Sequence, residues 1–157
     1  MKNRKNIRTS ILDRLIDLEP RVPGESVQNR LFDIWQIKAM VVRDIENLLN
    51  TRRQILSVPA SYKQVNRSVF VYGLGDFTAE NPRSPSVRQR LRRDIEKAIS
   101  RFEPRLKNVT VRLEEDVEKG RNLRFRISGM LVVESEAEPV SFDTYFDNNR
   151  GEYVIEQ

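Results

Sequence analysis

The chain has 157 residues, with 28 Lys/Arg against 23 Asp/Glu, and it contains neither cysteine nor histidine. That length suits one domain able to bury a core without disulfides, while the two absences exclude a disulfide scaffold, a thiol nucleophile, a Ser-His-Asp triad and the usual zinc sites. The net charge of +5 is uneven: residues 1–105 hold 21 Lys/Arg and 12 Asp/Glu, residues 106–157 hold 7 and 11. A basic front and an acidic back suggest two faces that meet different partners.

Residues 1–8 are polar and basic and read as an arm. The following stretch 9–18 has Ile11, Leu12, Leu15, Ile16 and Leu18 at the spacing of a short amphipathic helix. Two prolines and a glycine make 19–26 a linker. Residues 1–26 are therefore expected to precede a single domain, 27–157. No apolar run approaches the roughly 18 residues of a membrane span. No apolar stretch follows Lys2, Arg4, Lys5 and Arg8 as a secretory signal requires. The expectation is a soluble, cytoplasmic protein.

The spacing predicts a helix over 27–50, with Leu31, Ile34, Trp35, Val41, Val42, Ile45, Leu48 and Leu49 on its buried stripe, broken only at Lys38, and Ile37 and Met40 off it. Residues 54–84 read as irregular, with Val69 to Tyr72 a helical turn or a strand. A second helix is expected over 85–102, started by Ser84 as N-cap with Pro85 behind it and stopped by Pro104. After residue 106 the apolar period becomes two, through Val109, Val111 and Leu113, then Leu123, Phe125 and Ile127, then Val140 and Phe142, then 152–155. Gly129 marks a bulge or bend in the second strand. Tight turns between sequential strands imply an antiparallel meander, and helices followed by strands imply an α+β fold with the sheet packed on the two long helices.

Catalytic chemistry finds little support. A hydrolase needs a pair of carboxylates in different environments. Glu46 and Glu103 are candidates that nothing in the sequence brings together. Asp76 beside Gly73 and Gly75 reads as a tight turn, and no phosphate loop or dinucleotide motif is present. Nothing calls for a cofactor or metal. Nucleic acid is a weak alternative, because the arginines of 85–102 are interleaved with Asp94 and Glu96 and lack stacking aromatics. The stretch Arg101-Phe102-Glu103-Pro104-Arg105 stands out, because proline fixes the chain between a carboxylate and a guanidinium. Two readings stay open: a rigid corner that offers bidentate contacts to a partner, or a local ion pair that sets the helix-to-strand turn.

Several motifs together resemble the baseplate wedge family of type VI secretion systems (the TssE family), itself similar to the small wedge and sheath-initiator proteins of contractile phages. They are Ser10-Ile11-Leu12-Asp13-Arg14-Leu15, the run from Asp44 to Arg53 (DIENLLNTRR), Tyr72 to Phe77 (YGLGDF), Phe102 to Leu106 (FEPRL), Leu123 to Ile127, and Val140 to Asp143. Gly75 stands where the family usually has proline. The resemblance implies a structural, non-enzymatic role in the cytoplasm, in a baseplate docked to the inner-membrane complex. Its implied partners are the wedge subunits TssF, TssG and TssK and the sheath subunits TssB and TssC. It makes Glu103, Pro104 and Arg105, with Arg52 and Arg53, the partner-binding residues. It also makes the sheet a template for the first sheath ring. The enzyme-class alternative, a lysozyme-like peptidoglycan hydrolase, comes with no matched acid–nucleophile pair.

Overall fold

A computed structural model describes residues 34–77, 79–81, 84–114, 123–133, 136–147 and 149–156. The expected arm, the 9–18 helix, the linker, the first residues of the 27–50 helix and most of the acidic hairpin loop lie outside the described residues. Among them run two helices, α1 (Ile34–Leu49) and α2 (Pro85–Phe102), then four strands, β1 (Leu106–Glu114), β2 (Arg124–Val133), β3 (Glu136–Asp147) and β4 (Glu152–Glu156). The strands pair antiparallel in chain order, β1-β2-β3-β4. This is the expected α+β arrangement, with helices first and a meander last. No described helix is long and apolar enough to cross a membrane.

The stripe of α1 differs from its expected composition. Ile37, Val41, Val42, Ile45, Leu48 and Leu49 are buried, whereas Trp35 is 72% exposed. Apolar residues nearly encircle the first turns, so period alone does not say which face turns inward. Ile37 therefore belongs to the core. Lys38, the apparent break in the stripe, reaches Glu138 on β3 at 2.6 Å, and its ammonium lies 5.1 Å from the centre of the Trp35 ring.

Helix α2 starts at Pro85 as expected, and Leu91, Ile95, Ala98 and Ile99 form its buried stripe. Ser84 does not cap with its side chain. Its hydroxyl meets that of Ser86 at 2.9 Å, while its carbonyl accepts the Arg88 N–H. The helix lies against β1, and α1 lies against β4. Between helices and sheet the core closes on Leu106, Val111, Phe125, Ile127 and Leu131. Each such side chain removed from water stabilises the fold by about 1.5–3 kcal/mol.

The irregularity read at Gly129 sits on the neighbouring strand. Lys107 pairs with Met130 and Thr110 with Ser128, so Asn108 and Val109 together face Gly129. Asn108 has φ 53°, a left-handed value that Asn tolerates. A Cβ on Gly129 would lie 3.1 Å from the Lys107 carbonyl oxygen, so glycine gives room to the bulge opposite it.

Candidate functional site

The Phe-Glu-Pro-Arg stretch turns α2 into β1. Ile99 accepts the Glu103 N–H at 2.8 Å, ending the helix, and Glu103 accepts the Leu106 N–H at 3.1 Å, opening the strand. The Glu103 carboxylate folds back under Pro104. One oxygen accepts the Arg105 backbone N–H at 3.1 Å and its Nε at 2.7 Å, and the other accepts Nη2 at 2.5 Å. Nη2 also reaches Asp44 of α1 at 2.5 Å, and the second oxygen of Asp44 receives Arg43. Glu103 is only 3% exposed.

This geometry decides part of the open question. Glu103 and Arg105 form an ion pair within the chain, which sets the helix-to-strand turn and, through Asp44, joins it to α1. Burial works against the charge on Arg105. The hydrogen bonds and attraction of Glu103, then of Asp44, outweigh burial and push its pKa above the ordinary arginine value. Tyr72 packs edge-on against Phe102, ring centres 5.1 Å apart. Burial, then the charge of Asp44, then that of Glu103 raise the pKa of its hydroxyl. Pro104 is exposed and Arg105 half-buried, so they are what the turn presents outward.

The other two predicted site residues pair elsewhere. Exposed Arg52 reaches Asp76 at 3.3 Å. Arg53 is partly buried and holds both oxygens of Asp94 in α2, at 2.9 and 3.2 Å. Asp94 also accepts the Gly75 N–H at 2.8 Å. Arg53 therefore ties the end of α1 to the glycine turn and to α2.

The rest of the Asp44–Arg53 motif is equally committed. Glu46 accepts the Ile155 N–H at 2.9 Å. Asn50 accepts the Tyr153 N–H at 2.7 Å and donates to the Tyr153 carbonyl at 2.9 Å. These backbone groups lie on the outer edge of β4, so α1 side chains occupy that edge. On the opposite edge of the sheet, Glu96 of α2 accepts the Val111 N–H at 2.9 Å. Sequence reasoning missed the roles of Asp44, Asp94 and Glu96. Asp44 carried a readable signal: it is three residues beyond Val41 and four before Leu48, which puts a carboxylate on the apolar face and demands a cation.

The two carboxylates considered for hydrolysis are thus hydrogen-bond acceptors in separate parts of the frame. A cleft of about 310 Å³ opens between the end of α1, the glycine turn and the tip of the sheet, lined in part by Leu49, Leu74, Phe77 and Phe146. Neither Glu46 nor Glu103 lines it. Among the described residues no group of acidic side chains could hold a metal ion.

The result is an α+β frame whose charged motifs lock its elements together, with a proline turn at the surface. Residues 36–136, more than half of the chain, match the family model of the baseplate wedge protein gp25. The chain belongs to the gp25 baseplate wedge family. Its fold is similar to that of a chain in a solved structure described as "The baseplate complex from the type VI secretion system", with 21% identity and a TM-score of 0.53. The match covers 76% of this chain and 95% of that one. No curated protein matches the sequence.

Proposed function

We propose that this protein is a TssE-like structural subunit of a type VI secretion baseplate, which joins wedge subunits to the contractile sheath and nucleates sheath assembly. The observation that carries the reading is family membership, together with motif residues that build a rigid frame around one exposed turn. That turn, Glu103-Pro104-Arg105, contacts a wedge subunit through Pro104 and the outer side of Arg105. Glu103 acts from below by holding the guanidinium in place. Arg52, the more exposed of the arginine pair, is the second proposed contact.

The sheet supplies the sheath contact. A strand added at an open edge gains backbone hydrogen bonds without new side-chain geometry. The β4 edge has five residues, with the Tyr153 and Ile155 N–H groups held by α1. Nine-residue β1 has Val111 held by Glu96 and is the longer edge. The β1 edge is accordingly the proposed acceptor. TssF, TssG and TssK on one side and TssB and TssC on the other are the expected partners, at a cytoplasmic baseplate docked to the inner-membrane complex.

The test is a nuclease-treated pull-down of the tagged full chain from its native lysate, with mass spectrometry of what co-purifies. Recovery of wedge and sheath subunits is expected, with the wedge subunits reduced for Pro104→Glu. Recovery of neither, with the bait folded and the secretion genes expressed, would overturn the reading.

A further inference from the structure

Seven large apolar side chains are exposed among the described residues, and six of them lie between positions 55 and 70. Ile55 is 97% exposed, Val69 86% and Leu56 72%. Scattered apolar residues on a surface are ordinary. Six in one loop are not scattered.

The loop is built to hold them outward. Its ends are joined in a parallel bridge, where the Arg53 N–H donates to the Leu74 carbonyl at 2.7 Å and the Leu74 N–H donates to the Thr51 carbonyl at 2.9 Å. Inside it, the Asn66 amide donates to the carbonyls of Pro59 and Tyr62 at 2.9 and 3.1 Å. The Ser68 hydroxyl accepts the Phe70 N–H and so starts the 3-10 turn Val69–Val71. Val71 and Leu74 are buried and anchor the loop. An ordered backbone that displays apolar side chains has already met much of the ordering cost of binding.

The charge of the loop is one-sided. From Thr51 to Gly75 there are four Lys/Arg and no Asp/Glu. Arg52 and Arg53 are paired with Asp76 and Asp94, while Lys63 and Arg67 have no ion pair among the described residues. The surface therefore offers apolar contact plus two available cations.

We infer that this loop docks an acidic amphipathic helix of another baseplate subunit, with the apolar stripe of the helix seated on Ile55, Leu56, Val69 and Phe70 and its flanking carboxylates on Lys63 and Arg67. A helix carries an apolar stripe flanked by acidic groups, which complements a loop that offers exposed apolar side chains and two cations but no carboxylate. The loop's two cations fall short of the roughly four to eight clustered Lys/Arg that mark an anionic-membrane site. The loop lacks the alternation of aromatics and cations that single-stranded nucleic acid favours. The inference rests on the baseplate reading and adds to it a second contact surface apart from the proline turn.

The experiment is photocrosslinking of the full chain in its producing cells, with p-benzoylphenylalanine in place of Val69 in one strain and of Pro104 in another. Crosslinked peptides are identified by mass spectrometry. The Val69 position is expected to capture a helical segment rich in Asp and Glu from another baseplate subunit. Lys63→Glu with Arg67→Glu should lower that yield at least tenfold, with the fold of the variant checked by circular dichroism. Capture of lipid, of nucleic acid or of a segment without acidic residues would overturn the inference. So would no capture at Val69 while Pro104 captures a subunit, which leaves the baseplate reading standing. No capture at either position would remove both.

Discussion

Arg105 bridges Glu103, two residues before it, and Asp44, 61 residues away on the other helix. One guanidinium thus fixes both the local turn from α2 to β1 and the placement of α1 beside it. A charge-neutral exchange here differs in kind from removing one partner. Breaking a buried pair from one side leaves an uncompensated charge and costs about 3–5 kcal/mol.

Arg105→Ala should therefore destabilise the fold by about 3 kcal/mol in urea unfolding, because Glu103 stays buried without its partner. The double variant Glu103→Leu with Arg105→Met should recover most of that loss. A loss of 1 kcal/mol or less for the single variant would mean the pair behaves as a surface ion pair. The same reasoning shows that Arg105→Glu confounds folding with docking, since it sets a third carboxylate beside Asp44 and Glu103. Pro104→Glu alters the exposed turn alone and is the cleaner probe of a partner contact.

The two glycines of the Tyr72–Phe77 turn should respond in opposite ways. Gly73 has φ 100°, and a Cβ there would sit 2.2 Å from the Thr51 carbonyl oxygen. Gly73→Ala should cost about 2 kcal/mol or more and open the bridge that closes the exposed loop. A Cβ on Gly75 meets nothing nearer than 3.4 Å, so Gly75→Ala should change stability by less than about 0.5 kcal/mol. Gly75→Pro removes the N–H that Asp94 accepts and should cost about 1 kcal/mol. Chemical unfolding of the three variants tests the order.

The outer edge of β4 is closed by side chains, which hydrogen exchange can read. Glu46→Ala with Asn50→Ala frees the Ile155 and Tyr153 amides. Both should exchange at least tenfold faster, while Val154, which alternates toward β3, should keep its protection. Unchanged exchange at Ile155 would show that Glu46 does not hold the edge.

Local signals explain what was legible in the sequence. Pro85 marked the start of α2, and the alternation through Val109, Val111 and Leu113 marked a strand, because both patterns depend on neighbours in the chain. The face of α1 was misread at Trp35 and Ile37, since a helix apolar on most sides reveals its inward face only through what it packs against. The Glu103–Arg105 pair was visible as adjacency, but its third member was not, because Asp44 meets it only after two helices and a long loop have packed. Nothing local to Glu46, Asn50 or Glu96 points to the sheet. Their edge-holding roles depend on strand positions up to 109 residues away. The exposed loop read as irregular. Its order comes from Asn66, Ser68 and the Arg53–Leu74 bridge, none of which has a periodic signature.

Alkaline pH should weaken the fold through Tyr153. Burial pushes its phenol from 10.0 up to about 12, its ring lying edge-on to Phe125 at 5.8 Å and to Phe146 at 5.0 Å. A raised phenol pKa means the folded state keeps its proton where the unfolded chain has lost it. Below pH 10 the two states bind this proton alike, so its full contribution is present. Between pH 10 and about 12 the unfolded state binds fewer protons, so stability falls as pH rises. Tyr72 is shifted the same way and adds to the slope. Tyr153→Phe removes the ionisable group while keeping the ring, so its unfolding free energy should fall less steeply than wild type above pH 10. Urea unfolding at half-unit steps from pH 9 to 12 measures the difference, and parallel curves for the two proteins would show that Tyr153 is not held neutral by its burial.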